Sequence, residues 1–165
     1  MCRLREERYL DAQVTENNQY NCNINLMSAK DKFHDAVKQA LVKEGWEITH
    51  DPLRIKFGEE DKIQIDLGAE RVLGAQKAGQ KIAVEIKSFL SDSAVFDFHL
   101  ALGQFLNYRL VLEATEPERV LYLAVPIYAY QSFFYRDLPQ AAIQRYQINL
   151  IIYDPIKEVN IQWIG

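Results

Sequence analysis

The segment Lys81-Ile-Ala-Val-Glu-Ile-Lys-Ser-Phe89 constrains the fold more than any other stretch of this chain. Ile82, Val84 and Ile86 fall on every second position, the period of a strand with one face in a core. Ala83, Glu85, Lys87 and Phe89 leave on the opposite face. A carboxylate and an amine are thereby held side by side on a rigid backbone. A second segment, Lys62–Ala69, alternates in the same way, with Ile63, Ile65 and Leu67 on one face and Gln64 and Asp66 on the other. Gly74 and Gly79 between the two read as a turn region. If the two strands pair as a hairpin, Asp66 and Glu85 converge.

Around these strands the pattern predicts an α/β fold. Ser28 opens an S-x-x-D start, and Phe33, Ala36, Val37, Ala40 and Leu41 follow at helical spacing up to Gly45, which predicts a helix over 28–44. Trp46–Thr49 reads as a short strand. Ser91, Asp92 and Ser93 supply caps for a long helix ending near Ala114, apolar on most sides and therefore expected to be buried. Arg119–Val125 is a nearly continuous apolar run, as in a central strand covered on both faces. One or two short helices fit within Ile127–Tyr146, and strands over 148–153 and 158–164 close the chain. The expected core order is α-β-β-β-α-β, with a mixed central sheet flanked by helices, a small helical insert and C-terminal strands.

At 165 residues the chain has room for one domain. Residues 1–26, rich in Asn, Gln and Glu, read as an N-terminal extension, either a start placed too early or a loose arm, leaving 27–165 as the domain. The formal net charge of −4 excludes a bulk polycation, so any nucleic-acid contact has to be a local patch. No apolar run approaches the roughly 20 residues of a membrane span. Cys2 and Cys22 both lie in the extension, so a disulfide framework and a thiolate metal site are not expected. A cytosolic protein without membrane contact is the expectation.

Two converging carboxylates suit a hard cation such as Mg²⁺ or Mn²⁺, which takes oxygen ligands. Such an ion polarises a phosphodiester and acidifies a bound water. Lys87 would hold that water or stabilise the charge developing on phosphorus. The chemistry expected is metal-assisted phosphodiester hydrolysis. The bland alternative for Glu85 and Lys87 is a surface ion pair on an exposed sheet face.

Gln104 and Tyr108 are four apart on the long helix, in a stripe with Phe96, Leu100 and Val111. They read either as satisfied core polar groups or as the edge of an active site. His34 lies at the flank of the first helix with Lys30 one turn earlier, and is either a boundary histidine bonded to backbone or a group acting on substrate phosphate. The aromatic cluster Tyr128, Tyr130, Phe133, Phe134 and Tyr135 reads first as core filling plus a homodimer contact, and second as a base-stacking surface. P-loop, dinucleotide-binding and nucleophile-elbow motifs are absent.

Asp66 followed by Glu85-Ile86-Lys87 resembles the PD-(D/E)xK restriction-endonuclease-like superfamily, and Gln104-Phe-Leu-Asn-Tyr108 resembles the Q-x-x-x-Y motif of its RecB-like branch. Read along the chain, MSAKDKFHDAVKQAL, GWEITHDP, IQIDLGAE, KIAVEIKSF, ALGQFLNYR and LYLAVP resemble the XisH family of cyanobacterial excision-controlling factors, from Met27 onward. The resemblance implies a restriction-endonuclease-like core, metal ligation by Asp66, Glu85 and the carbonyl of Ile86, and Lys87 as catalytic lysine. It further implies programmed excision of a DNA element alongside a site-specific recombinase and an XisI-like partner. Ile65 stands where the motif's name has Pro. His34 or Lys30 stands where a Glu often completes the superfamily's site. Two functions follow: a metal-dependent DNA endonuclease working with a partner, or a non-catalytic accessory factor on a nuclease fold that controls the recombinase.

Overall fold

The computed structural model describes residues 32–58, 63–64 and 72–165. Helix α1 covers residues 32–43. It buries Phe33, Ala36, Val37, Ala40 and Leu41, the stripe its periodicity predicts. Gly45, at φ +84°, ends it in the left-handed region that glycine enters without cost. Strands β1 (Glu47–His50), β2 (Lys56–Phe57), β3 (Ile63–Gln64), β4 (Val72–Lys77) and β5 (Gln80–Ile86) follow. Helix α2 (Ala94–Thr115) starts with the Ser93 hydroxyl accepting from the Phe96 N–H, one of the caps the sequence offers. Next come β6 (Arg119–Pro126), the single turn α3 (Ile127–Ala129) running into a π-helical turn over Tyr130–Phe134, and α4 (Asp137–Tyr146). Strands β7 (Leu150–Asp154) and β8 (Val159–Ile164) end the chain as a hairpin.

Six strands form one mixed sheet in the order β1-β4-β5-β6-β7-β8. The pairs β5–β6 and β6–β7 are parallel, and the others are antiparallel. Strand β6 is central, as its apolar run requires. Helix α1 packs with Ile82, Val84 and Ile86 on one face of the sheet. Helix α2 packs with Ala83, Leu121, Leu123 and Val125 on the other. The two-period alternation of β5 therefore separates the two layers, and Glu85 and Lys87 belong to the α2 side. Among the described residues no helix is long and apolar enough to cross a membrane.

The hairpin partner of β5 differs from expectation. It is β4, with Val72 opposite Glu85 and Gly74 opposite Ala83, where the sequence suggested a turn region. Gly74 is a strand position because its neighbours need the space. A Cβ there would lie 3.2 Å from Arg119 Nη1 and 3.2 Å from the His50 ring. The turn itself is confined to Ala78 and Gly79, both at positive φ, the mirror-image geometry of a two-residue hairpin loop. Ile63 and Gln64 pair instead with Phe57 and Lys56 in a separate two-stranded sheet. The remainder of the segment expected as a strand, Asp66 included, lies outside the described residues, as do residues 1–31.

Candidate functional site

The parallel strands β5, β6 and β7 end on one edge of the sheet, the edge at which open α/β sheets bind ligands. Glu85 and Lys87 sit at the β5 end of that edge. The Lys87 N–H donates to the Ala124 carbonyl at 3.1 Å, which keeps Lys87 in register beyond the last assigned strand residue. Two residues later Phe89 adopts φ +52° and turns the chain away from the sheet, its ring packed 5.2 Å from that of Phe134. The acid and the amine are thus fixed from both sides by backbone pairing and aromatic packing.

Neither side chain is on the surface. Glu85 is 0% exposed and Lys87 3%, so the surface-pair alternative does not hold. Lys87 Nζ lies 3.0 Å from Glu85 Oε1. Beyond that charge contact, neither Glu85 oxygen accepts a hydrogen bond among the described residues. Burial pushes the Glu85 carboxyl up to about 8. Removing a carboxylate from water without hydrogen bonds favours its neutral form.

Helix α2 closes the site from above. Lys87 Nζ donates to Gln104 Oε1 at 2.5 Å. One turn on, the buried Tyr108 hydroxyl is hydrogen-bonded by the Gln104 side chain. Burial, reinforced by the Glu85 carboxylate, holds the Tyr108 phenol well above its ordinary value, and the Gln104 bond pulls the other way. Glu85, Lys87, Gln104 and Tyr108 therefore form one continuous polar line between β5 and α2. The expected stripe with Phe96 and Leu100 does not: both are exposed, at 63% and 47%. Each step of four residues advances about 40° around a helix of 3.6 residues per turn, so the row drifts from solvent at Phe96 to the interior at Tyr108.

His34 is not part of this line. It is buried on α1, which packs against the opposite sheet face. Its Nε2 lies 2.8 Å from Asp51 Oδ1, not against backbone, and Lys38 Nζ donates to Asp51 Oδ2 at 2.8 Å. Partial burial pushes the Asp51 carboxyl up, but the Lys38 hydrogen bond and the nearby His34 and Lys38 charges outweigh it and hold it below the ordinary aspartate value. Sequence reasoning did not single out Asp51, and no periodicity marks it, because it lies in an irregular stretch. Lys30 lies outside the described residues. Within the aromatic cluster, Phe133 and Phe134 fill the α2-side core, Tyr135 is exposed, and the Tyr128 hydroxyl donates to the Ser88 carbonyl beside Lys87.

Glu85 offers one carboxylate toward an oxygen-liganded cation. Its oxygens are buried, lack hydrogen bonds among the described residues, and are of the hard type that Mg²⁺ and Mn²⁺ select. Among the described residues no group of three or more His, Cys, Asp and Glu side chains gathers around such a position. A complete ligand set would need a further oxygen donor.

Comparison with known proteins gives a match to the family described as XisH protein over residues 27–161. Two solved structures are similar over most of the chain. An XisH family protein from Nostoc punctiforme PCC 73102 is 48% identical with a TM-score of 0.75, covering 82% of this chain and 100% of that one. An fdxN element excision controlling factor protein from Anabaena variabilis is 48% identical with a TM-score of 0.75, covering 82% of this chain and 99% of that one. No curated protein matches.

Proposed function

The chain belongs to the XisH family, and from that premise we propose that it acts in the control of DNA-element excision as a divalent-metal-dependent endonuclease. Its relative from Anabaena variabilis is an fdxN element excision controlling factor, which supplies the biological setting of the reading. The observation that carries the chemistry is the Glu85 carboxylate, buried, without a hydrogen bond among the described residues and 3.0 Å from the Lys87 ammonium. The assignment to the PD-(D/E)xK superfamily belongs to this proposal, and rests on the D…E-x-K spacing together with that pair.

Glu85, Asp66 and the Ile86 carbonyl would hold Mg²⁺ or Mn²⁺. Asp66 precedes Val72 by six residues, and Val72 is the register partner of Glu85, so the chain permits Asp66 to reach the site. When bound, the ion supplies Lewis-acid polarisation of a phosphodiester and lowers the pKa of water. Lys87 binds the attacking water or the charged oxygens of the phosphorane, and Gln104 fixes its Nζ. Tyr108 hydrogen-bonds Gln104 and so sets the amide. DNA is the substrate of the proposal. The net charge of −4 supports dependence on a partner protein, of the XisI kind, and on a site-specific recombinase to bring DNA to the site.

Calorimetric titration of Mg²⁺ and Mn²⁺ into the wild type and into Asp66→Ala/Glu85→Ala tests the reading, together with nicking of supercoiled plasmid with and without the partner. Metal binding lost in the double variant, and nicking lost in Lys87→Ala, are expected. Absence of metal binding in the wild type overturns the nuclease and leaves a non-catalytic accessory factor.

A further inference from the structure

Helix α2 carries a second apolar seam that points away from the protein. Phe96, Leu100, Gly103, Asn107 and Leu110 follow one another at spacings of four, three, four and three, the spacing that lines a helix–helix contact. Phe96 is 63% exposed, Leu100 47% and Leu110 59%, with Val95 alongside at 39%. The exposed positions between 95 and 110 carry no Asp, Glu, Lys or Arg, with His99 and Asn107 the polar ones and Asp97 and Arg109 half-buried beside them, in a chain of which a quarter is charged. The exposed side chains amount to roughly 300 Å² of apolar surface, comparable to the largest patch on a typical soluble domain, which is often functional.

Gly103 stands at the centre of the seam. A Cβ there would meet nothing within 4 Å, so the packing of this molecule does not require glycine. In the middle of a 22-residue helix, glycine costs about 1 kcal/mol relative to alanine. A role between molecules accounts for it, because a glycine lets a second helix approach the backbone closely. The seam is also its own complement. Phe96 and Leu110 lie seven residues to either side of Gly103, and Leu100 and Leu106 lie three to either side. A two-fold axis through Gly103 sets an antiparallel copy of α2 so that Phe96 of each meets Leu110 of the other, and Leu100 meets Leu106.

We propose that the chain forms a symmetric homodimer through the outer face of α2, with the two helices crossing antiparallel at Gly103. Self-complementarity about one residue is the signature of an isologous contact. Two copies of a chain at −4 repel, and this face lets them meet without Asp, Glu, Lys or Arg at its exposed positions. The apolar centre is less than half of the about 800 Å² per partner of a standard interface, so a weak, reversible dimer is expected. The interface lies on α2 rather than on the aromatic insert, where Phe133 and Phe134 are already spent in the core.

Sedimentation over a concentration series, combined with cysteine cross-linking in full-length Cys2→Ser/Cys22→Ser protein, tests this. Gly103→Cys should oxidise to a covalent dimer. Phe96→Cys should not, because the two copies of residue 96 would stand about 21 Å apart along the helices at 1.5 Å per residue. Leu100→Glu/Leu110→Glu should sediment as a monomer with an unchanged circular-dichroism spectrum, since both side chains are exposed. A wild type that stays monomeric throughout overturns the proposal. So does a dimer that survives the double substitution, cross-linking at 96 as efficient as at 103, or a seam that binds only a different protein.

Discussion

The Lys87 ammonium lies 3.0 Å from Glu85 Oε1 with both side chains withdrawn from water. A pair of this kind contributes little to folding, because the cost of desolvating two charges absorbs most of their attraction, and an apolar pair of equal volume folds as well or better. Its presence at the carboxyl edge of the parallel strands is better accounted for by chemistry than by stability. Perturbed ionisable groups gather where a site needs them.

The Glu85 carboxyl, pushed by burial from its ordinary 4.5 up to about 8, makes stability depend on pH in a defined sense. The folded state holds the proton more tightly than the unfolded chain. Its contribution is therefore complete below about 4.5 and is lost as pH rises through 8. Thermal melting in chelator should show Tm falling from pH 5 to pH 9, and Glu85→Gln should flatten the slope. A slope unchanged in Glu85→Gln would assign the pH dependence to other groups.

The same proton competes with a cation. Mg²⁺ should raise Tm more at pH 9 than at pH 6, with proton release on binding measurable by titration in buffers of different ionisation enthalpy. Glu85→Gln should abolish both the Tm increment and the proton release. An increment that persists in the variant would place the ion elsewhere.

Much of this was legible in the sequence, for identifiable reasons. The face assignment of β5 follows from its period, so Glu85 and Lys87 were paired correctly. The start of helix α2 was marked by its caps, and helical spacing put Gln104 and Tyr108 on one side of it, but that this side meets Lys87 depends on how α2 lies on the sheet. The depth of the pair was not legible, because burial of Glu85 depends on α2 lying across it, a tertiary fact. Gly74 was misread for a related reason. Glycine commonly marks a turn, and only the Arg119 guanidinium and the His50 ring, from distant strands, show why it sits inside β4. The exposure of Phe96 and Leu100 was missed because an all-round apolar helix looks buried when the outer seam has no visible partner.

The Gln104 amide positions Lys87 without touching the carboxylate in the described contacts. Gln104→Leu keeps the side-chain size but removes the acceptor 2.5 Å from Nζ. Plasmid nicking should fall by about 10- to 100-fold, the usual loss when a supporting hydrogen bond is removed, while Mg²⁺ affinity stays near that of the wild type. Lys87→Ala should fall further, by about 10²- to 10³-fold. Equal losses of metal affinity and nicking in Gln104→Leu would make it part of the ion's own site.

Gly74→Ala probes the packing that supports the hairpin. The new methyl would press on Arg119 Nη1 and the His50 ring, each at 3.2 Å. Arg119 cannot yield freely, because its Nη1 donates to the Ile82 carbonyl at 3.0 Å and its Nε to Glu116 Oε2 at 2.8 Å. Overpacking at such a point costs about 1–3 kcal/mol, readable in chemical denaturation. A neutral outcome would show that the guanidinium moves aside.

His34 and Asp51 give the converse case, a hydrogen-bonded pair expected to serve folding alone. Asp51→Ala removes the acceptor 2.8 Å from His34 Nε2, and His34 Nδ1 has no hydrogen bond among the described residues to compensate. The imidazole is left buried without a partner, at a cost of about 2 kcal/mol, or a Tm loss of about 4–8 °C near neutral pH. The Asp51 carboxyl is held below its ordinary 3.8, so its stabilisation is present above that value and lost as pH falls through the folded-state value. The gap between wild type and variant should accordingly narrow in acid. Because α1 lies against the sheet face opposite Glu85, Mg²⁺ affinity should be unchanged. A variant that melts like the wild type but loses metal binding would bring His34 and Asp51 into the site and require the two faces of the sheet to communicate.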